Sequence, residues 1–92
     1  MKKTATDRYY PGRLVISKQG RDKGHVYVII SSSEQAVYVA DGVKRPVGFP
    51  KKKNPRHLQV VNRRLGSEAI GDEEIIQAIE AYEKRKESQE DV

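Results

Sequence analysis

A chain of 92 residues with 34% charged and 36% hydrophobic side chains, one Phe and no Trp has the size of a single small domain, which buries only about two-thirds of the surface it exposes when unfolded and leaves little room for a deep active site. The absence of Cys excludes disulfides and thiolate metal sites and fits a reducing, cytoplasmic setting. The net charge of +5 conceals a division: residues Met1 to Leu65 carry fifteen Lys and Arg against four Asp and Glu, a net +11, and the remainder carries three against nine, a net −6, as expected of a nucleic-acid-binding body with an acidic appendage.

Met1-Lys2-Lys3 has the charge of a signal-peptide start, but Thr4-Ala5-Thr6-Asp7-Arg8 follows in place of an apolar core, so export is not expected. No run approaches the ~20 apolar residues of a membrane helix, and a soluble protein is expected. The first residues read as polar and loose. Tyr9-Tyr10-Pro11 offers aromatic surface, and packing against the fold is favoured over base stacking, because a small domain poor in aromatics needs its tyrosines as core or lid.

From Gly12 the pattern becomes β. Leu14, Val15 and Ile16 predict a first strand and His25 to Ile30 a second, since β-branched and aromatic side chains suit a pleated, half-buried surface. Between them lies Lys18-Gln19-Gly20-Arg21-Asp22-Lys23-Gly24. Gly20 and Gly24 accept positive φ, which lets the backbone turn while Lys18, Arg21 and Lys23 project outward. Ser31 to Gln35 reads as a turn and Ala36 to Ala40 as a third strand. Asp41-Gly42 then has the signature of a type I′ hairpin, leading to a fourth strand over Val43 to Val47 with Lys44 and Arg45 at its start and Pro46 marking an edge.

Gly48 to Arg56 reads as a proline-bracketed basic loop without regular structure, apart from a helical turn begun by Pro50. It carries Lys51, Lys52, Lys53 and Arg56. His57 to Val61 predicts a fifth strand, with the first strand as its partner, so that the sheet closes. From Ser67 the period changes: Ile75, Ile79 and Tyr82 share one face of a helix. Gly71 fits its N-cap, Asp72, Glu73 and Glu74 suit its first turn, and Lys84, Arg85 and Lys86 suit its C-terminal end. Ser88 to Val92 are expected to fray.

Little catalytic chemistry survives inspection. The spacing from Gly20 to Gly24 is too short for a P-loop, His25 and Val26 stand where Lys and Ser or Thr are required, and a strand follows instead of a helix. His25 and His57, the only imidazoles, lack the Cys or carboxylate cluster of a metal site. Ser31, Ser32 and Ser33 have no base or orienting acid nearby in sequence. Neither catalysis nor a cofactor is expected. What remains are three basic segments next to turns, namely the Lys18 to Gly24 loop, the Lys44-Arg45 pair and the Lys51 to Arg56 loop. On a shared face they make a cationic surface for a phosphate backbone.

The stretch from Gly12 to Ile30, a strand, a basic glycine loop and a strand, resembles the KOW motif of ribosomal proteins and transcription elongation factors. Asp41-Gly42-Val43-Lys44-Arg45, followed by Pro50-Lys51-Lys52-Lys53-Asn54-Pro55-Arg56-His57-Leu58-Gln59, is similar to small bacterial KOW-domain RNA-binding proteins related to archaeal and eukaryotic large-subunit ribosomal proteins six, fourteen and twenty-seven. This resemblance covers about Gly12 to Asn62. It implies an SH3-like barrel that binds RNA, with Gly24 as the glycine of the first loop, Asp41-Gly42 as the second turn and Lys18, Arg21 and Lys23 as RNA contacts.

The expectation is therefore a mainly β protein, an SH3-like barrel of about five antiparallel strands over residues 1–65 and an amphipathic C-terminal helix with an acidic tail over 66–92. Structured RNA, ribosomal RNA first, is the expected partner of a module that is monomeric when free. Lys18, Arg21, Lys23, Lys44, Arg45, Lys51, Lys52, Lys53, Arg56 and His57 are the candidate contacts, and Gly20, Gly24, Asp41 and Gly42 the turn formers. The helix is a candidate surface for a ribosomal or other protein partner. A protein-binding SH3-like or Tudor-like adaptor and an architectural DNA-binding protein are the alternatives.

Overall fold

The computed structural model describes residues 8–66 and 70–90. The expectations for the opening residues, for residues 67–69 and for the last two residues lie outside that range. Five antiparallel strands, β1 (Arg13–Ser17), β2 (Val26–Ser32), β3 (Val37–Ala40), β4 (Lys51–Lys53) and β5 (Leu58–Arg64), are followed by one helix, α1 (Asp72–Glu90). The strands form one sheet in the order β4-β3-β2-β1-β5. The protein is mainly β, a small SH3-like barrel with a C-terminal helix, and the sheet is open, with no ladder joining β4 to β5.

The register follows from the apolar alternation. Leu14 pairs with Val28 and Val15 with Tyr27, so successive residues of β1 and β2 face opposite sides of the sheet. One side gathers Tyr9, Val15, Tyr27, Ile29, Val37, Val39 and Leu58 into the barrel interior. The other gathers Leu14, Val26, Val28 and Ala40 with Leu65 and Ile75. Irregularities between Arg13 and Val15 against β5, and between Ile29 and Ser31 against β3, bend the sheet around the first cluster.

The second cluster exists because α1 covers the outer face of the sheet. Ile75 is fully buried there, with Ala78, Ile79 and Tyr82 packed around it, the face that the helical period predicts. The carbonyl of Gly71 accepts the first helical hydrogen bond from Ile75 N at 3.0 Å, which places Gly71 at the N-cap. The helix continues to Glu90 where fraying was expected from Ser88, and so Lys84 and Arg85 precede its last turn. The division near residue 65 separates elements but not cores: Leu65, from the end of the barrel, is buried in the same cluster as Ile75.

Three expectations for the middle of the chain require correction. Val43 to Val47 is not a strand but a bonded loop, and the fourth strand is instead the lysine run itself, Lys51–Lys53, paired with Val37, Tyr38 and Val39 of β3. Asp41-Gly42 does not form a type I′ turn. Only glycines have positive φ among the described residues, whereas that turn needs two successive positive values. The helical turn in the basic segment begins at Pro55, as a single 3-10 turn over Pro55–His57 capped by the Asn54 side chain, which accepts from Arg56 N. Pro50 starts none.

Candidate nucleic-acid interface

The first loop is closed by backbone bonds from Gly24 N to Ser17 O at 2.8 Å and from Ser17 N to His25 O at 3.0 Å. Gly20 (φ 94°) and Gly24 (φ 89°) supply the left-handed backbone that this closure needs. Lys18, Arg21 and Lys23 are exposed on it. Asp22 turns the other way, towards the mouth of the barrel.

There its carboxylate accepts hydrogen bonds from Tyr27 Oη at 2.6 Å, Ser17 Oγ at 2.8 Å, Lys51 Nζ at 3.1 Å and Lys53 Nζ at 3.2 Å. The cause lies in the pleat of β4. Lys53 stands opposite Val37 and Lys51 opposite Val39, both interior residues, and paired residues share a face. Lys51 and Lys53 therefore point to the inner side, while Lys52, opposite Tyr38, points outward and is exposed. Burial works against ionisation of Asp22, but the hydrogen bonds from Tyr27, Ser17, Lys51 and Lys53 outweigh it and hold the carboxyl well below the usual carboxylate range. Burial and the facing Asp22 carboxylate push the Tyr27 hydroxyl up, which keeps it a donor.

A second carboxylate organises the next loop. Asp41 Oδ1 accepts from the backbone N–H groups of Val43 and Arg45, each at 2.9 Å, and Asp41 Oδ2 lies 2.8 Å from His25 Nε2. Desolvation opposes the charge here too, and the Arg45 and Val43 amides together with His25 hold the Asp41 carboxyl low. Gly42 (φ 82°) completes the turn against the start of α1, where an added Cβ would lie 2.6 Å from Asp72 O and 2.8 Å from Ile76 Cγ1.

Two acids thus join the three basic segments: Asp22 ties the first loop to β4, and Asp41 ties the second loop to His25 at the end of the first. Lys18 N adds a bond to His57 O at 2.8 Å, tying the first loop to the 3-10 turn. The result is one open groove of about 340 Å³ lined by Arg21, Lys44, Arg45 and Lys51, with Asp22, Asp41, His25 and Tyr27 between them. Four cations face two carboxylates there. The formal charge of these lining side chains is therefore +2.

Not every candidate belongs to this groove. Lys53 is 9% exposed, held by Asp22 and Ser17, and does not line the groove; it acts as a strut between β4 and the first loop. Lys51 divides its charge between Asp22 and the groove. Lys18, Lys23, Lys52 and Arg56 are exposed and His57 is half-buried, but none of them lines the groove with Arg45. Tyr9 is buried, with its hydroxyl donating to Pro55 O at 3.2 Å, which fits packing and not base stacking.

The residues that sequence reasoning missed are Asp22, Ser17 and Tyr27. A usable signal was present: Asp22 is the sole acid in a loop with three cations, and lysines two apart on a strand must share a face. No described helix is long and apolar enough to cross a membrane. No protein-family model matches the chain, and a search of curated proteins finds no match.

Proposed function

We propose that the protein is a non-catalytic RNA-binding module of the cytoplasm that docks on structured RNA, ribosomal RNA first, through phosphate contacts. The observation that carries this reading is the joining of three basic segments, distant in sequence, around one groove lined by Arg21, Lys44, Arg45 and Lys51. The resemblance of Gly12 to Asn62 to KOW-domain proteins supports RNA over other polyanions. Phosphate contacts fix register and affinity and carry little sequence information, so recognition rests mainly on backbone charge and shape.

The test is the binding of a structured ribosomal RNA fragment across a salt series, with duplex DNA of equal length as competitor. Log affinity should fall linearly with log salt, with a slope near −0.7 to −0.9 per phosphate contact. The K44E/R45E variant should lower the magnitude of the slope by about two contacts' worth. Retention of affinity and slope in that variant would remove the groove from the binding surface. Preference for duplex DNA over RNA would favour an architectural DNA-binding protein.

A further inference from the structure

The chain's one Phe is the most exposed large apolar side chain described, at 76%, in a protein that buries Tyr9 and Tyr27. Its loop is not loose. Phe49 N donates to Pro46 O at 2.9 Å, Val47 N donates to Asp72 Oδ1 at the start of α1 at 2.7 Å, and Val47 packs on the cluster between sheet and helix. Pro46 and Pro50 restrict φ on either side. The backbone therefore holds an aromatic ring out in water, at the hydrophobic cost of leaving it there.

The location of the loop gives that exposure a use. It begins after Arg45 and ends before Lys51, both of which line the cationic groove. Phe49 is two residues from Lys51, a backbone reach of about 7 Å. An aromatic face beside a phosphate-binding groove is the arrangement by which proteins hold unpaired nucleotides, because every base has a π-face to stack while its backbone follows the cations. In RNA the bases free to stack this way are those of loops, bulges and single-stranded ends.

We propose that Phe49 is the stacking platform for an unpaired RNA base whose neighbouring phosphates lie in the groove lined by Arg21, Lys44, Arg45 and Lys51. This inference rests on the RNA-binding reading and adds to it the ligand class, a loop or bulge and not a continuous duplex. Phe49 selects unpaired RNA and the groove supplies charge.

The experiment uses the full chain, an RNA hairpin with 2-aminopurine in its loop, and a fully paired RNA duplex of the same length. The wild-type protein should bind the hairpin more tightly than the duplex and change the fluorescence of the loop base on binding. Phe49→Ala, which removes no contact of the core, should weaken hairpin binding about 5- to 150-fold, abolish the fluorescence change and leave duplex binding and the salt slope as they are. Phe49→Tyr should restore both. Equal binding of hairpin and duplex, or a Phe49→Ala variant that keeps hairpin affinity and the fluorescence change, overturns the inference while leaving the RNA-binding reading in place. Failure of the wild-type protein to bind either RNA overturns both.

Discussion

Lys53 Nζ lies 3.2 Å from Asp22 Oδ1, a contact that closes 31 residues of chain and joins the first loop to the edge strand of the sheet. The lysine is 9% exposed and the aspartate 15%, so the pair is largely shielded from screening by solvent and salt. Removing one partner leaves a charge in the barrel mouth with only part of its hydrogen bonding. Asp22→Ala should destabilise the protein by about 3–5 kcal/mol, and Lys53→Met in the Asp22→Ala background should recover much of the loss, because replacing a buried pair by apolar groups is often close to neutral. Urea midpoints of the single and double variants decide it. An Asp22→Ala variant with an unchanged midpoint would reduce the pair to a surface contact.

Acid should unfold the protein through the same carboxylates. The folded-state pKa of Asp22 is depressed below its ordinary 3.8, and that of Asp41 is depressed as well. A depressed carboxylate binds fewer protons folded than unfolded, so its stabilisation is fully present above the unfolded value and is lost as the pH falls towards the folded one. Stability should be level in this respect above about pH 5 and decline below about pH 4. In Asp22→Asn the decline should be shallower, since one of the two linked groups is gone. Denaturant unfolding at a series of pH values measures both slopes, and equal slopes for wild type and variant would exclude Asp22 as a source.

The contrast between these acids and the basic residues shows what the sequence made legible. The β1-β2 hairpin and the buried face of α1 followed from apolar alternation and helical period, because burial imposes those periods directly; the β1-β5 pairing was expected from the need to close the sheet, and it forms while the sheet stays open. Val43 to Val47 misled because Val43 and Val47 look strand-like in isolation, whereas the backbone of that segment is claimed by the Asp41 side chain and by Asp72. Lys51 to Lys53 misled in the opposite sense. Lysine has no preference that marks a strand, and the signal was cross-strand pairing with Val37 and Val39, which depends on a partner more than ten residues away. The candidate groove was legible as charge but not as geometry, since its organisers are the two acids.

Gly42 and Gly24 have nearly the same φ, 82° and 89°, but should respond differently to a methyl group. At Gly24 nothing lies within 4 Å of an added Cβ, so Gly24→Ala should cost only the left-handed penalty of about 1–2 kcal/mol. At Gly42 the same Cβ meets the Asp72 carbonyl and Ile76, and the start of α1 must move from the loop. Gly42→Ala should therefore cost more than Gly24→Ala and expose the cluster around Ile75. Comparing urea midpoints, with amide exchange over Ile75 to Tyr82 as the local readout, tests the difference. Equal costs would show that α1 yields freely at that contact.

Ile75 tests how much of the barrel's stability comes from the helix. It is fully buried between α1 and the outer face of β1 and β2, beside Leu14 and Val28, and both strands have apolar side chains on that face that would otherwise meet water. Ile75→Ala should cost about 2–5 kcal/mol, while Gln77→Ala, on the exposed side of the same helix, should change stability by no more than about 0.5 kcal/mol. Thermal and urea unfolding should remain a single transition for the Ile75 variant if sheet and helix share one core. Two separated transitions would show instead that the barrel folds without α1.

The three neighbouring lysines of β4 should separate binding from folding. Lys52 is exposed on the outer side of the strand, whereas Lys53 is enclosed with Asp22. Lys52→Glu should leave the stability measured in urea within about 0.5 kcal/mol of wild type and, on the proposed RNA-binding reading, should weaken RNA binding with a loss of about one contact's worth of salt slope. Lys53→Glu sets a carboxylate against the Asp22 carboxylate in the barrel mouth, removes the more buried of its two lysine partners and should cost at least 3 kcal/mol, on the order of a broken buried pair. Any loss of the proposed RNA binding in this variant should then come from unfolding, with affinity tracking the folded fraction across temperature. A folded, stable Lys53→Glu protein with weakened RNA binding would overturn the assignment of Lys53 as a strut and place it on the proposed RNA surface.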